Sequence, residues 1–175
     1  MSTVNIMLLG ILMKKPLNAY EMKKKMESMN IRRWTKISTP AIYKNLVNLH
    51  RRGYLDAEIV RDGEMPEKTV YTVNEKGRKY FVSLMERLAQ NPGTVYIDFT
   101  TFVAHLNKLD RSDAIRMLEE LLENLNGTLL VLDDSFHQKE SLPEASEIIG
   151  LYRDMYRLFC SWTSNCLQKM KEKGS

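Results

Sequence analysis

Residues 38–55, STPAIYKNLVNLHRRGYL, contain the start and stop signals of one helix. Ser38 and Thr39 can each cap it with a side-chain oxygen, Pro40 suits a first turn that needs no N–H donor, and Gly53 supplies a left-handed stop. The expected helix is about 13 residues long. Ile42, Leu46 and Leu49 recur at i, i+4 and i+7 and form its buried stripe, while Lys44, Val47, Asn48 and Arg51 fall on the opposite side. A slim helix exposing small, amide and cationic side chains suits a DNA major groove, which offers base edges flanked by phosphates. Taken alone, such a helix is equally an amphipathic element with a solvated basic face, so its neighbours have to decide.

The net charge of +4 hides an asymmetry. From Met1 to Tyr80 there are 16 Lys+Arg against 8 Asp+Glu, whereas Phe81 to Ser175 has 10 against 14. The basic half suits a polyanion and the acidic half does not. At 175 residues and 43% apolar content the chain can bury one or two small cores. No run is long enough to span a bilayer, and Met1 to Pro16 lacks the charged start and cleavage site of an export signal. A soluble, cytoplasmic protein with no membrane association is therefore expected. Cys160 and Cys166, the two cysteines, are six residues apart and point about 240° apart on a helix, so neither a disulfide nor a shared metal site is expected.

Upstream, Val4 to Met13 is nearly all apolar and reads as a short buried helix, ended by Lys14-Lys15-Pro16. Asn18 should cap a second helix, AYEMKKKMESM, with Tyr20, Met22, Met26 and Met29 turned inward. Lys23, Lys24 and Lys25 cover much of its remaining surface, either as a solvated face or as phosphate contacts. Arg32, Arg33 and Lys36 lie in the connection to the third helix, where loops of such domains approach the DNA backbone. After Gly53 the period changes from 3.6 to 2. Leu55, Ala57 and Ile59 alternate with Asp56, Glu58 and Val60, TVYTV (69–73) forms a second β-rich run, and Asp62-Gly63 and Pro66 lie between. Asn74 then caps a helix that runs to the break at Gln90-Asn91-Pro92-Gly93. Three helices followed by a hairpin make a winged helix-turn-helix.

The ordered segments LLGILMKKPLNAYEMKKKM, TPAIYKNLVNLHRRGYL and MPEKTVYTVNEKGRKYF resemble the N-terminal domain of PadR-type transcriptional regulators, winged-helix repressors named after the regulator of phenolic acid decarboxylase. The most telling residues are Ala19-Tyr20, Ile42-Tyr43, Leu46, Leu49, Gly53, and Tyr71 followed by Asn74-Glu75-Lys76-Gly77-Arg78. Lys44 stands where that family often has Pro, and Asn74 where it usually has Thr or Ser. The resemblance implies DNA contact by the start of the third helix, at Ser38, Thr39, Ala41, Tyr43 and Lys44. Helix geometry adds Asn48 and Arg51, and charge adds Lys36 together with the wing cations Arg61 and Lys68, which face Asp62, Glu64 and Glu67 in the same hairpin. Tyr43 lies about 100° from the apolar stripe, so contact with DNA and packing at the helix flank both remain open. Asn48 reads either as a base-edge contact or as a solvated amide.

In the second half, Tyr96, Phe99, Val103 and Leu106 are spaced by three and four. Asp110 and Asp113 mark the start of a long helix. Its Ile115, Leu118, Leu122, Leu125, Leu129 and Leu132 form a heptad-like stripe. A last helix after Pro143 repeats the pattern with Ile148, Tyr152, Met155, Phe159, Trp162 and Cys166, widened by Ile149, Tyr156 and Leu167. So much apolar helical surface suggests burial against a second subunit, and PadR-type proteins are similar in dimerising through C-terminal helices. Tyr152, Met155, Tyr156, Phe159 and Trp162 form a Met-aromatic band with two readings, interface core or the lining of a site for a small apolar or aromatic effector; the resemblance bears on the second, since some relatives are induced by aromatic or cationic amphipathic compounds.

The expectation is thus a mainly α chain with a small β-hairpin, consisting of a winged helix-turn-helix over residues 1–90 and a helical dimerisation domain over residues 94–175. Its partners would be palindromic double-stranded DNA and a second copy of itself, with release when the reading heads are repositioned about a hinge between Tyr80 and Thr94. No metal or cofactor is called for. Catalysis finds no support: His50, His105 and His137 lie on three separate segments, and there is no Gly-rich phosphate loop, paired-cysteine motif or nucleophile elbow. The rival reading is a winged helix used as a protein-interaction or assembly module.

Overall fold

The computed structural model of the chain describes residues 3–29, 37–61, 67–137 and 143–172, with side chains of residues 135–137 and 143–145 excepted. It divides into two compact units, Met1–Val95 and Tyr96–Ser175.

In the first unit, helices α1 (Thr3–Leu12), α2 (Ala19–Ser28) and α3 (Thr39–Arg51) are followed by strands β2 (Leu55–Val60) and β3 (Lys68–Val73) and by helix α4 (Glu75–Gln90). A two-residue strand, β1 (Leu17–Asn18), pairs antiparallel with β3, so the sheet has the order β1-β3-β2. The winged-helix fold is therefore as expected, but the hairpin is extended to a three-stranded sheet. Two residues are too few to show a period, which is why β1 escapes a reading of the sequence.

Local chemistry sets each boundary. Asn18 and Glu21 form a reciprocal cap on α2: the Glu21 N–H donates to Asn18 Oδ1 at 2.9 Å and the Asn18 N–H donates to Glu21 Oε2 at 3.0 Å. The Ala41 N–H donates to Ser38 Oγ at the start of α3. At the other end of α3, Gly53 at φ +72° lets its N–H reach His50 O while the Tyr54 N–H reaches Leu49 O. This double closure satisfies the last carbonyls and turns the chain into β2.

One core unites the layers: Leu8, Leu9 and Leu12 of α1, Met22 and Met26 of α2, Ile42, Leu46 and Leu49 of α3, Leu55, Tyr71 and Val73 of the sheet, and Leu84 of α4. Two expectations fail here. Tyr20 is 56% exposed, because a position two residues before Met22 lies on nearly the opposite side of α2, where Lys24 Nζ sits 4.9 Å from its ring centre. Ile59 and Val60 are also exposed; β2 is an edge strand, and its far end runs past the helices that bury Leu55.

The second unit contains α5 (Phe99–Ala104), a single 3-10 turn (Leu106–Lys108), and two long helices, α6 (Arg111–His137) and α7 (Pro143–Glu172), which pack on each other. The three-four spacing from Tyr96 to Leu106 does not produce one helix. His105 closes α5, Leu106 is buried from the 3-10 turn, and Tyr96 lies before the helix, almost fully exposed. Leu106, Ala114 and Leu118 form a small core with Phe102, Val103, Cys166, Leu167 and Met170 around it. The start of α6 is tied to the end of α7: Arg111 donates to the carbonyls of Met170 and Lys171 at 3.2 and 2.6 Å, and Lys171 pairs with Glu119 at 2.6 Å. Leu118 is fully buried and Leu125 nearly so, whereas Leu122, Leu129 and Leu132 of the same stripe are only half-buried. Leu130, Val131, Leu151 and Leu158 are mostly exposed. No helix among the described residues is long and apolar enough to cross a membrane.

Candidate nucleic-acid interface

The first turns of α3 present the residues expected to meet DNA. Ser38 is exposed beside its capping bond, Thr39 and Ala41 are half-buried, and Lys44 is exposed. Tyr43 is 42% exposed, with Ile42 beside it buried in the core. Val47 is similarly open, so the outward strip from Pro40 to Val47 carries one cation, one phenol and otherwise small groups. These residues share one end of one helix and are positioned together by the Ser38 cap and the Ile42, Leu46 and Leu49 anchors.

Asn48 and Arg51, expected on the same face, are in a different setting. They line a shallow cleft of about 260 Å³ between the last turns of α3 and the start of α1, with Asn5, Asn45, Leu49 and Arg52. Asn5 is a buried carboxamide on an otherwise apolar helix. Asn45 Nδ2 donates to Ala41 O at 2.7 Å. The sequence signal for this second cluster was a lone amide among the apolar residues of α1, and Asn5, Asn45 and Arg52 were not picked out from it.

Among the other candidates, Arg61 and Lys68 flank the hairpin tip and are exposed; Val60 and Lys68 are in register as the last pair of the ladder. Residues 62–66 at the tip lie outside the described residues, as do Arg32, Arg33 and Lys36. Of the lysine triplet, Lys23 reaches Glu27 at 3.8 Å and Lys24 rests over Tyr20, leaving Lys25 the most open to solvent.

The turn after α3 is held by a stack of aromatic rings and cations. Tyr54 and Tyr80 lie face to face, 4.1 Å apart and 7° from parallel. The Arg52 guanidinium sits 5.2 and 5.5 Å from the two ring centres, and Lys76 Nζ lies 5.1 Å from that of Tyr54. Lys76 also donates to Arg52 O at 3.1 Å. Asn74 caps α4 through the Gly77 N–H and reaches Asp56 Oδ1 at 3.0 Å. A Cβ on Gly77 would lie 2.1 Å from Tyr54 O, so only glycine lets α4 approach the turn this closely. The fixed turn thereby sets where α4 leaves the reading helix.

In the second unit, Tyr152, Met155, Tyr156 and Phe159 are half-buried and Trp162 is 40% exposed. Phe99 of α5 joins them: its ring is 5.2 Å from Phe159, nearly perpendicular, and 6.1 Å from Trp162, while Tyr156 lies 5.7 Å from Phe159. The band is thus built across two helices, and Phe99 was assigned from the sequence to the packing stripe, not to the band. Both cysteines are free, and burial pushes the Cys160 thiol above its ordinary range. No cluster of metal-ligating residues occurs among the described residues.

Three helices, a sheet with an open wing and a capped, outward-facing third helix define a winged helix-turn-helix protein, here followed by a two-helix appendage. Residues 8–83 match the model of the Transcriptional regulator PadR-like family, so the N-terminal unit belongs to that family and the resemblance of its motifs holds. Solved structures are similar over nearly the whole chain. Bacillus subtilis PadR in complex with operator DNA is 20% identical with a TM-score of 0.80, over 97% of this chain and 98% of that one. The same protein in complex with p-coumaric acid is 18% identical with a TM-score of 0.81, over 97% and 99%. The Vibrio cholerae virulence activator AphA is 14% identical with a TM-score of 0.69, over 98% and 99%. At these identities the likeness shows the fold. No curated protein matches the chain in sequence.

Proposed function

We propose that this chain is a sequence-specific DNA-binding transcriptional regulator, working in the cytoplasm as a two-fold homodimer that represses by occupying a palindromic operator and is released by a small aromatic effector. The observation that carries the reading is the start of α3, where a capped helix turns Tyr43 and Lys44 outward from three buried anchors within a unit that matches a family of transcriptional regulators. The direct readers are Ser38, Thr39, Ala41, Tyr43 and Lys44, with Lys36, Arg61 and Lys68 on flanking phosphates. Asn48 and Arg51 stand apart from this group. A single recognition helix reads only a few base pairs, and a two-fold pair doubles the site. The exposed Leu130, Val131, Leu151 and Leu158 on α6 and α7 supply apolar surface for the pairing.

The Phe99, Tyr156, Phe159 and Trp162 cluster, with Tyr152 and Met155, is the effector candidate, since rings arranged edge to face are a fitting wall for another aromatic ring. Such a ligand releases DNA only by preferring the non-binding state, and a preference of a few kcal/mol suffices. No step of this scheme makes or breaks a covalent bond, so the reading is of a binding protein. Selection of duplexes from a random pool by the purified full chain tests it. The expected result is a symmetric consensus whose binding weakens steeply with salt. Recovery of no consensus, with no salt-dependent binding, would support a protein-interaction module instead.

A further inference from the structure

The cleft between α1 and the end of α3 has a composition that DNA reading by the first turns of α3 leaves unexplained. Of its six lining residues, Arg51 and Arg52 bring guanidinium groups, Asn5, Asn45 and Asn48 bring carboxamides, and none is acidic. With the Asn45 amide nitrogen already committed to Ala41 O, the donors facing the cleft come from Asn48 and the two arginines, beside the buried Asn5. Arg52 is restrained in advance: its guanidinium lies against the stacked Tyr54 and Tyr80 rings. A guanidinium held flat against an aromatic face keeps its N–H edge in plane and available, which is the geometry for paired hydrogen bonds to an oxyanion. Lys76 adds a third positive charge close by, through its bond to Arg52 O.

The negative end of the α3 dipole does not oppose an anion strongly here. The cleft opens on the flank of the helix, and the carbonyls of Asn48, Leu49 and His50 accept from the N–H groups of Arg52, Tyr54 and Gly53.

We propose that this cleft is an oxyanion site, separate from the groove-facing residues, that takes a phosphate-type group through Arg51, Arg52 and Asn48. The group has two possible sources, a backbone phosphate of bound DNA or a free phosphorylated or sulfated small molecule, and the test has an arm for each. Isotope-labelled full-length protein is titrated with inorganic phosphate at low ionic strength, with chloride as the control, and backbone amide and arginine Nε resonances are followed. Saturable shifts confined to Asn5, Asn48, Arg51 and Arg52 are expected with phosphate and not with chloride. Asn48→Asp places an isosteric negative charge in the cleft and should weaken phosphate at least tenfold; Arg51→Gln, at an exposed position that should leave folding intact, should do the same. Non-saturating shifts, shifts shared with chloride, or equal affinity in both variants would overturn the site. In the second arm duplex DNA is added. Displacement of phosphate from the cleft by duplexes of any sequence identifies the occupant as a DNA phosphate, and retention of phosphate in the DNA complex identifies a free ligand. Because the first arm contains no DNA, it reports on the cleft even if DNA reading by α3 fails.

Discussion

Lys44 and Tyr43 are adjacent on the outward strip of α3 and make different predictions. Lys44 is exposed and offers a point charge, so Lys44→Ala should weaken every duplex to a similar degree and reduce the slope of log affinity against log salt by about one, as loss of one phosphate contact would. Tyr43 is open enough to meet a base or sugar yet begins next to a core residue. Tyr43→Ala should therefore change preference at one or two base positions, by about 1–3 kcal/mol each, with little change in melting temperature. A large fall in melting temperature with unchanged preference would make it a packing residue. Cys160 gives a test by pH. Desolvation raises its pKa, and the thiolate is the reactive form, so at any given pH less of it is ionised than of an exposed thiol. Its alkylation should stay slow at pH 8 and accelerate only above the pH at which exposed model thiols do, as read by mass spectrometry of the modified peptide.

The helices and strands owe their ends to particular side chains, and most of those were legible. Asn18, Ser38, Gly53 and Asn74 are capping or stop residues whose chemistry acts over three or four positions, so sequence spacing is enough to locate them. The join between β2 and α4 was not legible in the same way. Gly77 reads as a motif residue, but the reason for it is a carbonyl 23 positions away, at Tyr54. Gly77→Ala would force the backbone apart and should destabilise the N-terminal unit by about 3 kcal/mol, the upper part of the range for overpacking, seen as a lower melting temperature. In the second unit Leu118 is the fully buried member of the α6 stripe. Leu118→Ala should cost about 2–5 kcal/mol, whereas Leu130→Ala should cost little in a monomer and weaken a dimer if that surface pairs. Sedimentation across a concentration series distinguishes the two effects.

For the complete chain, the charge asymmetry and the two-unit division carry the functional expectation. A basic N-terminal half with a reading helix and a mildly acidic half of long helices are separate tasks, polyanion contact and self-association. If the dimer is two-fold, consensus half-sites should be centred about 34 Å apart along the duplex, or a multiple of that, because each reading helix must meet a major groove on the same side. Half-sites at any other spacing, or a single unpaired site, would argue against the symmetric scheme. The spacing can be read directly from selected duplexes.

Short-range signals settled much of this protein in advance. Caps, the glycine stop, the switch from period 3.6 to period 2 and the apolar stripe of α3 depend on neighbours within a turn or two, so the winged-helix plan and the outward residues of its third helix could be named from the residues alone. What depended on packing could not. The pairing of Leu17-Asn18 with β3, the exposure of Tyr20 and Ile59, the enclosure of Phe99 with the α7 aromatics, and the departure of Asn48 and Arg51 toward Asn5 all arise where segments distant in sequence meet. A helical wheel gives the side of a helix on which a residue lies but not which neighbour covers that side, and coverage is set by the three-dimensional arrangement of the other elements.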